Sequence, residues 1–558
     1  MNLVYQESTI DVSKIFRDRG ETTIKTCEFE AEIGNQSQRQ WAIGNQIPRT
    51  TLQYWLERKK NIDASAELIS FFESPHGLAF LRRLITAAHF EFTKVGVASI
   101  HNVSNFLKAC GLEPFVACSY PVQQRVSKKM DNEINKFGKS ECDRLTPQMP
   151  SKSITLMEDE TFHPEICLVA MEAVSNYIIL EKYVSNRDGA TWNVSVEEAL
   201  YGLPVKVIQV AGDEGSGLVK HVKKGLNAHH SSDTFHVSQE IGKGTSGPLA
   251  SEIRRSEKVL LTTEKLLEKI IRKKQAYDNQ ARRPRGRRPN FEQKINVAEQ
   301  ERKSAVDRLK QALENQEVAR SERKKIGHVY HPYDPLTGKK QDAQTVESLL
   351  GACFSMINKA TACLSKKCRK HIDKAHRVVS NFVSTIAFFY AMVDQHLENK
   401  DLTKTEREVL QDNLIPGFYL GLVAKKEKDK IRKKLIQEKS IELLSVTSQK
   451  DGPLAALSPP MVDDLIKIAR ECAHFFQRSS SNVEGRNAQL SLRHHGIHRL
   501  SERHLKAQTV IHNFHIKRDG NTTPAERFFE AKHENLFVHL LNNMDYPARP
   551  SKRLSVAV

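Results

Sequence analysis

The hydrophobic period changes twice along this chain of 558 residues, and that change limits the folds open to it. Before Ser151 and after about Ile241 apolar residues recur at helical spacing; between them they alternate or run together as in strands. Ser153 to Glu160 alternates and ends in acidic residues, Ile166 to Ala173 is a second apolar run, and Tyr177 to Val184 (YIILEKYV) is a third. A turn at Asp188–Gly189 precedes a helix from Val194 to Tyr201. Pro204 to Ala211 (PVKVIQVA) reads as a buried strand that stops at Gly212–Asp213. Glu214 to Gly217 then turns into a helix through Lys224, and Asp233 to Val237 reads as a short fifth strand. Hairpins followed by helical crossovers predict one mixed sheet in an α+β multidomain protein.

The flanks divide the chain further. Residues 1–150 form a helical region in which Arg39 to Arg58 reads as a helix-turn-helix. Ala42 is small where the second helix crosses the first, Asn45 and Gln46 make the turn, and Ile47 plugs the junction. Pro48 starts a helix that turns Leu52 and Trp55 inward and leaves Arg49, Thr50 and Gln53 outward, as a recognition helix presents side chains to a major groove. An ordinary helical hairpin would show the same pattern, and Leu84 to Leu112 is a weaker second candidate. Residues 151–240 carry the first part of the sheet core and 241–470 an all-helical insertion; 471–530 complete the core, and 531–558 form a turn-rich tail. Inside the insertion, Leu249 to Tyr277 and Phe291 to Lys325 predict a charged helical hairpin around a Pro/Arg-rich break. Helices follow at Val346 to Leu364, His371 to Leu397 and Val409 to Leu422, with a break or kink expected at Pro416.

Charge narrows the partners. Lys and Arg number 85 against 67 Asp and Glu, a net charge of +18, which favours a polyanion. An anionic membrane surface is the other candidate, but no segment approaches the ~18 apolar residues that span a bilayer. The stretch Phe382 to Val393 is broken by Ser384 and Thr385. The N-terminal MNLVYQEST lacks a signal-peptide pattern, so a cytoplasmic or nucleoid location is expected. Nine cysteines without a CxxC pair argue against zinc ribbons and thioredoxin motifs. Cys363, Cys368 and His371, and His494, His495 and His498, are two further groups with weak metal-ligand spacing.

The element order is that of a ribonuclease H core, in which strands one and four are adjacent. Asp159, at the end of the first strand, and Asp213, at the end of the fourth, would then share one pocket. Neighbouring carboxylates repel, and a hard divalent cation such as Mg²⁺ relieves that cost. Glu484, after RSSSNVE, is the candidate third acid. A capping box from Ser481 to Glu484 explains the same residues without chemistry. Asp159 reads equally as a solvated strand end between Glu158 and Glu160, and Asp213 as a turn residue.

At these residues the chain resembles the DDE transposase and retroviral-integrase superfamily, and more closely bacterial insertion-sequence transposases with a helical insertion in the catalytic core. The matching stretches are MEDETFHP, VAGDEGSGLVKHV, DTFHVSQEI, RSSSNVEGRNAQL and TVIHNFHIKRDGNTTPAERFFE. The resemblance implies DNA cleavage and strand transfer with Asp159, Asp213 and Glu484 holding two Mg²⁺ ions (or Mn²⁺) ~3.5–4 Å apart. It implies double-stranded DNA, both element ends and target, as partner, and a homodimer or higher oligomer on that DNA. Asn487, one turn from Glu484, would orient DNA or water; His236 lies near the acids but is more simply a structural histidine. RRPRGRRP, with Arg285 and Arg287, resembles an AT-hook core, although a solvated basic turn explains it as well. A regulator that has lost cleavage and a nuclease of the same fold are the competing readings.

Overall fold

The computed structural model describes residues 19–162, 165–281, 286–287, 289–449, 451–497, 500–518 and 520–550. Arg285, most of the RRPRGRRP run and His498 lie outside the described residues. The protein is mostly helical around one five-stranded mixed sheet. Its strands are β1 (Lys152–Phe162), β2 (Ile166–Glu172), β3 (Ile178–Val184), β4 (Val205–Gly212) and β5 (His229–Ser232), in the order β3-β2-β1-β4-β5. β1 pairs antiparallel with β2 and parallel with β4, from Lys152↔Val205 to Met157↔Ala211, so the expected adjacency of strands one and four holds.

Alternation along the central strand separates two faces. Ile154, Leu156 and Leu168 pack on one face against Trp192, Val196, Leu218 and Val222. Met157, Cys167, Val169 and Ala211 pack on the other against Val483, Leu490 and Leu505.

The N-terminal helices α1 (Arg19–Ala31), α2 (Gln38–Gly44) and α3 (Arg49–Lys60) share a small core of Phe29, Trp41, Ala42, Ile47 and Leu52. Ser37 and Gln40 close a capping box at the start of α2. Gln46 takes the left-handed turn conformation (φ 55°), where the sequence placed the turn. The long helix α4 (Tyr120–Leu145) carries this region onto the core.

Two segments differ from the expectation in instructive ways. Helix α5 (Gly189–Leu200) starts five residues early because the Asp188 side chain caps it at the Thr191 amide. The fifth strand is His229–Ser232, not Asp233 to Val237. Asp233 accepts from the Phe235 amide and starts α6 (Thr234–Asp278), so a side-chain cap overrides the β-forming residues that follow. The expected boundary at 240 therefore falls inside a helix.

α6 and α7 (Phe291–Val329) form an antiparallel hairpin, crossed by Arg308–Glu252 (2.7 Å) and Arg302–Glu264 (3.4 Å) ion pairs. Ala298, Ala305, Ala312 and Ala319 are buried at strict seven-residue spacing, which lets the helices approach closely. Helices from α6 through Phe476 share one large apolar core. His371 to Leu397 divides into Lys366–His376 and Val379–Glu398. The irregularity expected at Pro416 is present: a π-helical segment, Leu410–Leu414, interrupts the helix directly before Ile415–Lys426, at whose start Pro416 stands. The chain leaves the sheet at Thr234 and returns at Arg478, whose carbonyl accepts from the Thr234 amide and hydroxyl (both 3.0 Å).

After the return come α8 (Ser481–Ile497) and α9 (Glu502–Phe514). The expected tail is instead built into the fold. A helix at Leu536–Asn543 packs on α4, the Ala548 carbonyl accepts from the Ala117 amide, and Arg549 pairs with Glu73 at 2.8 Å.

Candidate active site

Pairing register decides which acid of the Glu158-Asp159-Glu160 run faces the return helix. Asp159 lies opposite Val169, which lies opposite Glu181, so the three form one row across β1, β2 and β3. α8 crosses this row. It sets Asn487 over Asp159, with Nδ2 donating to Asp159 Oδ2 (2.8 Å), and Arg486 over Glu181. Arg486 Nε and Nη2 each donate to Glu181 at 2.7 Å, and Thr509 Oγ1 of α9 donates to Glu181 Oε2 at 2.7 Å. Glu158 and Glu160 point the other way. Glu158 is fully buried 3.6 Å from His221 Nε2, and Glu160 pairs with Arg187 at 2.6 Å. Asp159 does not end its strand: β1 continues to Phe162 in the hairpin with β2, beyond its parallel pairing with β4.

Glu484 sits in the first turn of α8 with its carboxylate 3.7 Å from His236 Nε2. Ser481 is itself helical and its amide donates to Ser479 Oγ (3.1 Å), so it does not act as the cap expected of it. His236 Nδ1 faces Asp233 Oδ2 at 3.0 Å. A carboxylate only accepts, so Nδ1 carries the proton of that bond. Asp233 is almost fully buried and also accepts from Ser480 Oγ (2.6 Å). Donor atoms of Asp159, His236 and Glu484 all lie within 4.8 Å of one another, the one such group among the described residues.

Asp213 stands apart from this group. It follows β4 directly, but its Oδ1 accepts from the Gly215 amide (2.8 Å) and caps its own loop. It lines an adjoining cleft of about 430 Å³ whose walls carry Glu160, Glu214, Asp233, His236 and Glu240, with Arg187 and Lys374. The sequence named Asp159, Asp213, Glu484, His236 and Asn487; it missed Asp233 as the partner of His236, and Arg486–Glu181 as the brace of α8. Asp233 was detectable as an N-cap before a helical run. The brace links residues far apart in sequence and left no local signal.

Electrostatics follow from this crowding. Burial, then Glu484, pushes the Asp159 carboxyl up to about 7, against the opposing pull of His236. The Asp233 hydrogen bond, with Asp159 and Asp213 beyond it, holds His236 up to about 9 despite its burial. Burial and then Asp213 raise Glu160. An acidic, proton-retaining pocket in a chain of net charge +18 is suited to holding a cation.

Elsewhere, Arg49, Thr50 and Gln53 are exposed on α3, and Arg287 is exposed in the hairpin turn. Cys363, Cys368 and His371 do not gather: Cys363 is exposed and His371 pairs with Glu240 at 2.8 Å. His494 lies against the Tyr183 hydroxyl at 3.1 Å, apart from any metal-ligand group.

Residues 410–556, which include Glu484 and Asn487 but not Asp159, match DUF6399, a family of unknown function. No curated protein and no solved structure matches the chain. Among the described residues no helix is long and apolar enough to cross a membrane.

Proposed function

We propose that this chain is a DNA transposase of the DDE type, with a helix-turn-helix region, a ribonuclease H-like core and a helical insertion in that core. The observation that carries the reading is the meeting of Asp159 and Glu484, 325 residues apart in sequence, beside the cleft lined by Asp213. The sheet order β3-β2-β1-β4-β5 is that of a ribonuclease H core, and the departure at Thr234 and return at Arg478 fit an insertion.

The residues fit divalent ions on their own chemistry. Carboxylate oxygens converge where they repel, and the Asn487 Oδ1 is buried without a donor from the protein. Asp159, Glu484 and Asp213 would hold Mg²⁺ or Mn²⁺, which supply Lewis acidity at the scissile phosphate and an activated water or 3′-hydroxyl. The chain's own part is to fix the donors. Asn487 orients Asp159, Arg486 clamps α8 to β3, and the Asp233–Ser480 bond ties the start of α6 to the approach to α8. Arg49, Thr50 and Gln53 would read the element ends, on double-stranded DNA held by a homodimer or higher oligomer.

The test is cleavage and joining of DNA carrying the element ends, with Mg²⁺ or Mn²⁺. Asp159→Asn, Asp213→Asn and Glu484→Gln should each lower both steps by on the order of 10²-fold or more, the scale of losing one preorganised electrostatic contact. Arg49→Ala and Gln53→Ala should instead weaken site-specific binding by about 1–3 kcal/mol per base contact. Specific binding without cleavage would point to a regulator, and cleavage without joining to a nuclease.

A further inference from the structure

We propose that His236 is itself a metal ligand: Asp159, Glu484 and the His236 Nε2 form a mixed carboxylate–imidazole cradle for one Mn²⁺-class dication, with Asp233 as the residue that positions the imidazole. The inference rests on the reading of this pocket as a metal site and departs from the three-acid set in both ligand identity and ion preference.

Four observations support it. The three donor atoms lie within 4.8 Å of one another, and the His236 Nε2 to Glu484 Oε1 distance is 3.7 Å. Cis and trans ligands of an octahedral ion stand roughly 3 to 4 Å apart, given bonds of about 2.1 Å, so small side-chain rotations complete the cradle. Second, the tautomer is set. Nδ1 donates to Asp233 Oδ2, which turns Nε2 toward Glu484. A carboxylate behind a metal-binding imidazole is the usual device for fixing ring orientation and raising ligand basicity.

Third, Asp233 is built for that duty. It is 1% exposed and held by the Phe235 amide, by Ser480 Oγ and by His236, with no exposed ion pair in competition. A solvated surface histidine has no need of such a mount. Fourth, Asn487 is 9% exposed, gives Nδ2 to Asp159 and keeps an Oδ1 that meets no protein donor, a polar atom placed beside the cluster. Asp213 is not among the three donors that meet within 4.8 Å; it lines the adjoining cleft instead. An imidazole nitrogen in place of a carboxylate oxygen shifts preference from Mg²⁺ toward first-row transition ions.

The experiment is Mn²⁺ titration of the full chain, followed by pulsed electron paramagnetic resonance of the bound ion. Nitrogen coupling of directly bound imidazole is expected in the unaltered protein, changing to the ¹⁵N pattern when histidine is ¹⁵N-labelled. This arm needs no variant and does not depend on a mutant folding. His236→Gln should lose the coupling, and Asp233→Asn should weaken Mn²⁺ binding by roughly 10–100-fold, the scale of losing an outer-shell partner. Mg²⁺ should displace Mn²⁺ only at tenfold excess or more. Binding that disappears in Asp159→Asn yet shows no nitrogen coupling would overturn the ligand role of His236 and leave the carboxylate metal site standing. Binding untouched by both Asp159→Asn and Glu484→Gln would overturn the metal site itself, and this proposal with it.

Discussion

Asp159 is a carboxyl held where ionisation is costly, and that cost can be measured. In the folded protein it keeps its proton up to about 7, whereas its ordinary value is 3.8. Between these values the folded chain binds more protons than the unfolded one, so stability falls as pH rises from about 4 to about 7. His236 adds in the same direction. Its proton favours the folded state fully below 6.5, and that gain is lost as pH rises through about 9. The metal-free protein should therefore lose on the order of 1–3 kcal/mol from the site between pH 5 and pH 9, with the coupled pair sharing the loss. Thermal melts across that range, repeated with Mn²⁺, measure it; the ion should flatten the slope, and Asp159→Asn should flatten its acid half. A profile already flat in the unaltered protein would contradict the crowding described for the pocket.

At the scale of elements, the buried Arg486–Glu181 pair holds the site in register. α8 carries Glu484 and Asn487, and its attachment to β3 runs through this bidentate bond and Thr509. Replacing Glu181 by Ala leaves the Arg486 guanidinium buried and unpaired, a loss of about 3–5 kcal/mol. Chemical denaturation should show that loss, and it should exceed the effect of breaking the more exposed Arg187–Glu160 pair. A cost below 1 kcal/mol would mean that α8 is held by apolar packing alone. Much of the element plan was legible because it is local: strand alternation placed β1 to β4 within a few residues, and the wide apolar spacing of the hairpin arms marked α6 and α7. The fifth strand was misplaced because a single Asp233 side chain outweighs the β-prone Thr234, Phe235 and Val237 that follow it. Arg486 could not be paired with Glu181 from sequence, since only the sheet register puts Glu181 in the row of Asp159. Asp213 was named for its position after β4; it lines the cleft beside the cluster, with its Oδ1 accepting from the Gly215 amide.

The whole molecule sets the scale on which a long substrate would meet it. α6 has 45 residues, so its far end lies roughly 65 Å along the helix from His236, close to 20 base pairs of B-form DNA. Arg287, in the turn beyond that end, is thus too far away to share the phosphates that the proposed reading puts at the acidic cleft. On the proposed transposase reading, replacing the five arginines of RRPRGRRP by Gln should leave cleavage of a short duplex unchanged and make binding to a long one less salt-dependent, by about 0.9 in the log–log slope per lost phosphate contact. An equal slope for both proteins would make the turn a plain connection between two helices. The three donors of the proposed cradle carry a further consequence. Asp159 and His236 leave the ribosome first, and Glu484 follows only after some 250 more residues, roughly 12–50 s later at ordinary elongation rates. The Arg49–Gln53 face emerges before all of them. A chain whose translation stops short of Glu484 would carry that face without a complete donor set, so the proposed cradle would be assembled only once its last ligand has been made.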